Sequence, residues 1–278
     1  MRFNVIGAGR LGKNLALSLL SRADCELVAV CNQSIQSAVD AVAELGAGLA
    51  VGSLTELPSV DVTFITAPDD GLAEIARSLR GVSGIVAHCS GALSSDVLTP
   101  LKRQGCLIAS IHPLKAFRKN NTQSNAFKDC DCVIEGDELA VDLLTTLFFD
   151  MGANVLPILA AKKASYHAAA VMASNYLVTL AGCAVELLMD SGLTETQANS
   201  MTQGLMQSSL NNLKHSNHAS EALTGPLSRG DIQTVHQHLQ AIKNPSIDAL
   251  YRTAGLATLP FTHLDDNVQD AFRTSLNE

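Results

Sequence analysis

The sequence predicts an α/β protein: an N-terminal Rossmann-type, doubly wound parallel sheet followed by an all-helical C-terminal domain. Three observations carry this expectation. Short apolar runs alternate with helical patterns through the first half of the 278 residues, the order that parallel strands joined by crossover helices produce. A glycine-rich turn, Gly7-Ala8-Gly9-Arg10-Leu11-Gly12, lies where the first strand would pass into the first helix. Beyond Leu159 no convincing strand remains. The boundaries follow as 1–158 for the sheet domain and 159–278 for the helical domain.

Element by element, "FNVIGAG" opens with a strand over 3–6 and feeds a helix over 10–21. "ELVAVCN" is a second strand, followed by a helix over 35–45, the short run "AVG", and the strand "DVTFITAP". A helix over 70–79 leads to "GIVAHCSG", then "CLIASIHP" and "CVIEG". A helix over 138–151 and the strand "NVLPIL" end the first domain. The helical domain reads as stretches over 161–189, 194–213, 218–223, 231–242 and 246–256, separated by Gly192, "TGP" and "NPS", with the last dozen residues frayed.

Composition narrows the function classes. A chain that is 47% hydrophobic is globular, and a net charge of −8 with no run of Lys or Arg offers no footprint for a phosphate backbone, so nucleic acid is not an expected partner. The sequence enters structure without a leader pattern and has no run of eighteen apolar residues, which points to a cytoplasmic protein without a membrane partner. Seven scattered cysteines, an odd number, are read as reduced. Cys130 and Cys132 share one face of a strand, and His236 and His238 diverge on a helix, so no metal site is expected.

The glycine turn reads as a dinucleotide loop. Gly7 makes the tight turn, Gly9 lets the backbone approach a pyrophosphate, Gly12 lets helix and strand pack closely, and Ala8, Arg10 and Leu11 complete the cradle at a helix N-terminus. About twenty residues beyond Gly12, where an acid would bind the ribose hydroxyl of NAD, stand Asn32, Gln33 and Ser34. Amide and hydroxyl donors without a carboxylate favour the 2′-phosphate, hence NADP (NADPH).

A second polar cluster opens the helix "KKASYHAAAVMASNYL" at 162–177. Lys163, Tyr166 and His167 share a face, and Asn175 flanks it two turns on. Two consecutive lysines at a helix N-terminus oppose the helix dipole, which suggests a purpose other than solubility. His112, held extended before Pro113, ends a strand at the carboxyl edge of the sheet, where open α/β proteins bind ligands. Arg229, on the stiff turn "TGPLSRGD", is suited to gripping a substrate carboxylate.

The sequence resembles the superfamily of 6-phosphogluconate dehydrogenase, β-hydroxyacid dehydrogenases and ketopantoate reductase. More narrowly it resembles bacterial Rossmann-like proteins with a helical C-terminal domain of unknown function, through "HCSGAL", "SIHPLKAF", "YHAAAVMASN" and "TGPLSRGD". The resemblance implies that Lys163 and His167 are catalytic, with His167 at the position of the superfamily's Asn. It implies that Ser90 and Gly91 hold the substrate carboxylate and that Ala67 and Pro68 lie over the nicotinamide ribose. It also implies a homodimer formed by the helical domain, a partner that the apolar run "AAAVMASNYLVTLAGCAVELLM" independently suggests.

The expected activity is therefore NADPH-dependent reduction of a small 2-keto acid carboxylate, ketopantoate foremost. Two alternatives stand beside it: an imine reductase of the pyrroline-5-carboxylate type, and a dinucleotide-binding protein without turnover.

Overall fold

Valine and isoleucine concentrate in the runs that become central strands, because strands covered by helices on both faces must be apolar on both. In the computed structural model, which describes residues 1–118 and 121–278, these are β1 (Arg2–Ile6), β2 (Glu26–Cys31), β3 (Leu49–Val51), β4 (Val62–Ile65), β5 (Ile85–His88), β6 (Leu107–Pro113), β7 (Asp131–Gly136) and β8 (Asn154–Pro157). They form one sheet in the order β3-β2-β1-β4-β5-β6-β7-β8. The helices between them are α1 (Arg10–Leu20), α2 (Ile35–Leu45), α3 (Asp69–Ser78), α4 (Thr99–Lys102) and α5 (Glu138–Asp150).

The chain divides into two compact units, Met1–Val171 and Met172–Glu278. The sequence-based boundary lies ahead of this division, which falls inside the long helix α6 (Lys163–Asp190). Its first turns belong with the sheet because Lys163, only 1% exposed, is buried there.

In the first unit, strand alternation sends side chains to two cores. Phe3, Val5, Phe64, Ala109 and Ile134 pack with Leu15 and Leu19 of α1 and Leu144 and Phe148 of α5. Ile6, Ile65, Val86 and Ile108 pack on the opposite face with Leu72 and Ala76 of α3 and with Leu98 and Leu101. Not every strand is parallel, which corrects the uniform sheet expected. β7 runs antiparallel to β6, and β8 is parallel to β7. Among the described residues of the β6–β7 connection there is no helix to carry the chain back to the starting edge, so the next strand returns in the opposite direction.

The second unit contains the rest of α6, then α7 (Glu195–Lys214), α8 (Ala219–Ala222), α9 (Pro226–Arg229), α10 (Ile232–Ala241), α11 (Pro245–Thr258) and α12 (Asp266–Asn277). The ordered α12 corrects the frayed C-terminus: Val268, Phe272 and Leu276 recur every fourth residue and pack with Val235 and Leu259 in a small core. Charged residues between them hide that period.

Helices α6 and α7 are different in kind. From Met172 to Lys214 the buried residues are Ala198 and Thr202 alone, while Met172, Val178, Leu205 and Leu213 are exposed. Within the segment Ala160–Asp190 a window of eighteen residues has a mean hydropathy of 1.6, so by length and composition alone the helix is long and apolar enough to cross a membrane. The absence of an uninterrupted apolar run conceals this, because Ser, Thr, Asn and Gly interrupt the segment without making it polar.

Candidate active site

The glycine turn has the local geometry that its sequence predicts. Gly7 adopts φ +90°, and a Cβ there would come 2.8 Å from the Ala67 amide nitrogen. A Cβ on Gly12 would come 2.7 Å from the Gly7 carbonyl oxygen, so strand and helix approach to a distance only glycine allows. At Gly9 the nearest atom to such a Cβ is 3.9 Å away, leaving the backbone open where α1 begins. The turn is braced by Thr66 Oγ1, which donates to the Gly7 carbonyl at 2.7 Å. These are the features a pyrophosphate needs: an open glycine backbone facing an eleven-residue helix N-terminus.

Asn32 serves this turn with its side chain. Its Oδ1 accepts from the Ala8 amide at 2.7 Å, and its Nδ2 donates to the Ser37 carbonyl at 2.8 Å. Ser34 caps α2, accepting from Ser37 N at 3.3 Å. Gln33 is exposed. Of the three residues at this position, Gln33 is therefore the one whose side chain has no structural task in the fold. Ala67 and Pro68 follow β4 and lead into α3, Ala67 resting on Gly7.

At the carboxyl ends of β5 and β6 a polar cluster replaces the core. His88, Ser110 and Glu135 interrupt apolar strands on the face occupied by α3, since alternate residues point the same way and Ser110 is directly opposite Glu135 in the β6–β7 register. Lys163 comes down onto them from the start of α6. Its ammonium donates to the Ser90 carbonyl at 2.8 Å and to Ser110 Oγ, and lies 3.8 Å from Glu135 Oε1. Glu135 in turn accepts from the Ser95 amide and from Ser95 Oγ, each at 2.7 Å.

The turn Cys89–Ser94 is thereby held at several points. His88 Nδ1 accepts from the Ser90 amide at 3.1 Å, and its Nε2 donates to the Ser94 carbonyl at 3.1 Å, which fixes a neutral ring. Ser90 Oγ accepts from the amides of Ala92 at 3.2 Å and Leu93 at 3.0 Å. Gly91, at the apex, lies against two imidazoles. A Cβ there would stand 2.9 Å from His112 Nε2 and would collide with His167 Nδ1. The two rings meet edge to face at 5.8 Å, and His112 Nδ1 is 2.8 Å from the Tyr166 hydroxyl. His167 Nδ1 is buried without a hydrogen-bond partner.

Burial governs the ionisation of the cluster. It brings the Lys163 ammonium down to about 8, against the opposing pull of Glu135, Cys89 and Asp69. It brings His88 down to about 3 and His112 down to about 4, the charge on Lys163 acting in the same direction on both. The Tyr166 phenol is raised, again by burial. At neutral pH the arrangement is a buried Lys163–Glu135 ion pair with two neutral imidazoles and a neutral phenol around it, so polar groups rather than a free cation face the Ser90–Gly91 turn.

Of the residues singled out from sequence, Lys163, His167, His112, Ser90 and Gly91 meet in this one place, with Tyr166 beside them. Lys162, by contrast, is exposed. Asn175 and Arg229 belong to the second unit and are exposed, the Asn175 amide oxygen accepting from Ser174 Oγ at 2.9 Å. Sequence reading missed His88, Ser95, Ser110 and Glu135. Three of them left a signal, a polar residue inside the otherwise apolar runs "IVAH", "LIASI" and "CVIEG".

Residues 1–113 match a Rossmann-like domain model, and residues 130–258 match a domain of unknown function, DUF2520. The chain therefore carries a Rossmann-like domain followed by a DUF2520 domain. No curated protein matches the sequence. Among solved structures the chain is similar to a protein from Thermotoga maritima, at 26% identity and a TM-score of 0.71, over 98% of this chain and 99% of that one. It is similar to a Bacteroides fragilis protein put forward as an NADP oxidoreductase, at 22% identity and a TM-score of 0.74, over 93% and 98%. It also shares its fold with 1-pyrroline-5-carboxylate reductase from Streptococcus pyogenes, at 16% identity and a TM-score of 0.60, over 100% and 97%.

Proposed function

We propose that the protein is an NADPH-dependent reductase of a small 2-keto acid, with ketopantoate the first substrate to test, in the superfamily of 6-phosphogluconate dehydrogenase, β-hydroxyacid dehydrogenases and ketopantoate reductase. The observation that carries this reading is the unpartnered, buried Nδ1 of His167 beside Gly91. A buried polar atom left without a partner costs about 1–3 kcal/mol, so the contact of His167 with Gly91 is better explained by a role for the ring at this turn than by stability.

The glycine turn fits a dinucleotide, and the exposed Gln33 with the Ser34 hydroxyl fits a 2′-phosphate better than a diol-binding acid would. When bound, the nicotinamide supplies the hydride. The chain supplies the rest: the Ser90–Gly91 turn receives the carboxylate. Lys163 fixes that turn and holds a positive charge behind it. His167 and the His112–Tyr166 pair stand where a carbonyl oxygen can be polarised and protonated.

A second reading, reduction of a C=N bond in a pyrroline-5-carboxylate-like compound, is favoured by one feature. The Lys163 ammonium is engaged by Ser90, Ser110 and Glu135, leaving weaker donors at the front, and an imine needs less acid. The Streptococcus pyogenes protein of similar fold has such a name. Following NADPH absorbance with ketopantoate, other 2-keto acids and pyrroline-5-carboxylate separates the two. Oxidation with the keto acids supports the first reading and oxidation with the imine alone the second. Binding of NADPH without turnover on either set leaves a binding protein.

A further inference from the structure

We infer that Glu135 is a positioning residue: a buried carboxylate that holds the Lys163 ammonium and, through it and Ser95, sets the Ser90–Gly91 turn on which the proposed reductase reading rests. The argument starts from cost. Glu135 is 6% exposed and Lys163 1%, and removing two charges from water costs several kcal/mol per ion that a pair at 3.8 Å does not fully return. Such a pair is weak evidence for stability and is better explained by the geometry that it imposes.

That geometry is specific. One carboxylate binds both donors of Ser95 with its two oxygens while facing Lys163, and Lys163 binds the carbonyl of Ser90. The two charged groups thus grip the segment Ser90–Ser95 at its two ends, from β7 and from α6. Between the grips Gly91 is presented to His112 and His167. The other groups facing the ammonium are His88 from β5, Cys89 from the turn after it, Ser110 and His112 from β6, and Asp69 from α3. Glu135 is the only carboxylate among them in contact with the ammonium, Asp69 acting from the exposed start of α3.

Glu135→Gln keeps the shape and can still bond Ser95, but it removes the charge facing Lys163. Burial already lowers the ammonium to about 8 against the pull of Glu135, so the loss of Glu135 lowers its deprotonation further. The test is nuclear magnetic resonance titration of lysine side chains in the full chain, with the Lys163 signal identified by its absence in Lys163→Met. In Glu135→Gln the Lys163 midpoint falls by about one pH unit or more. On the best substrate kcat at pH 7.5 falls about tenfold or more, while NADPH affinity stays within about twofold. Glu135→Asp, which keeps the charge, gives a midpoint between the two.

An unchanged Lys163 midpoint in Glu135→Gln overturns the inference. A shifted midpoint in a protein that turns over no keto acid or imine upholds it and defeats the reductase reading instead. Should Glu135→Gln not fold, the Glu135→Gln/Lys163→Met double variant, uncharged on both sides, recovers the folded state. Failure of the double variant to recover it overturns the inference.

Discussion

His167 and Gly91 are in contact in a way that only a glycine at position 91 permits: the imidazole Nδ1 occupies the space of the missing side chain, and His112 Nε2 lies 2.9 Å from the same point. Gly91→Ala therefore drives both rings from their places while leaving the glycine turn at Gly7 untouched. A displacement of about 1 Å at a reacting centre costs on the order of 10² in rate. The expected result is a loss of that size in kcat/KM on the best substrate with unchanged NADPH affinity, measured by steady-state kinetics and fluorescence titration. Unimpaired turnover would remove the two imidazoles from the reaction.

Lys163 and His167 are separable by their mutants. Lys163→Ala removes the cation and releases the Ser90 carbonyl, so kcat falls roughly 10² to 10⁴-fold without a change in NADPH affinity. His167→Asn keeps a donor at the position and loses less. If His167→Asn proves the worse of the two, His167 is the acid and Lys163 serves the geometry. Wild-type kcat in both variants would make the cluster structural.

The difference between what the sequence disclosed and what it concealed follows from range. The glycine turn, the succession of strands and helices up to β6 and the shared helix face of Lys163 and His167 depend on local spacing, and local spacing is written in the chain. Glu135 becomes meaningful only opposite Ser110, a pairing made by the reversed strand β7, and that reversal depends on a connection without a helix. Asn32 was read as a cofactor ligand from its distance beyond Gly12. Its bond to Ala8 is tertiary, and no spacing rule contains it. Likewise "IVAH" announces a buried histidine but not that both of its nitrogens brace the following turn.

His88 makes stability depend on acid. Its folded value of about 3 is below the 6.5 of the unfolded chain, so between these values the unfolded state takes up a proton that the folded state refuses. The stabilisation is intact above pH 6.5 and is lost as the pH falls toward 3, and His112, lowered to about 4, acts in the same sense. At about 1.4 kcal/mol per pKa unit, His88 alone accounts for an effect on the order of 3–5 kcal/mol. Melting curves from pH 7 to pH 4 should show a steep fall in Tm that flattens in His88→Gln. An equally steep fall in that variant would assign the acid sensitivity to other groups.

For the cofactor, NADPH should bind about tenfold or more tightly than NADH, a difference of about 1.4 kcal/mol. Asn32→Asp keeps the acceptor for the Ala8 amide, gives up the donor to Ser37, and brings a negative charge toward the 2′-phosphate. It should shift preference toward NADH. Gln33→Ala should weaken NADPH alone, because Gln33 has no bond in the fold to lose. Equal affinities for the two cofactors in the wild type would refute the assignment of Gln33 and Ser34 to phosphate recognition.

The exposed faces of α6 and α7 call for a partner, and a second copy of the chain is the partner we propose. Val178 and Leu205 are each 72% exposed, with Met172, Tyr176, Leu210 and Leu213 exposed beside them in sequence. Each forfeits a part, in proportion to its exposure, of the roughly 1.5–3 kcal/mol that full burial of a large apolar side chain returns. In an antiparallel or crossed pairing of two chains the same residues would bury one another, as a symmetric dimer requires. A membrane is the competing solvent for an apolar helix of this length, but Lys163 and His167 tie the start of α6 to the sheet. Light scattering at micromolar concentration should give twice the 29.3 kDa of one chain. Val178→Glu/Leu205→Glu should give a destabilised monomer, since the charges would lie where the copies meet. A wild-type protein that scatters as a monomer without detergent would exclude the dimer, and one that requires detergent to remain in solution would point to lipid instead.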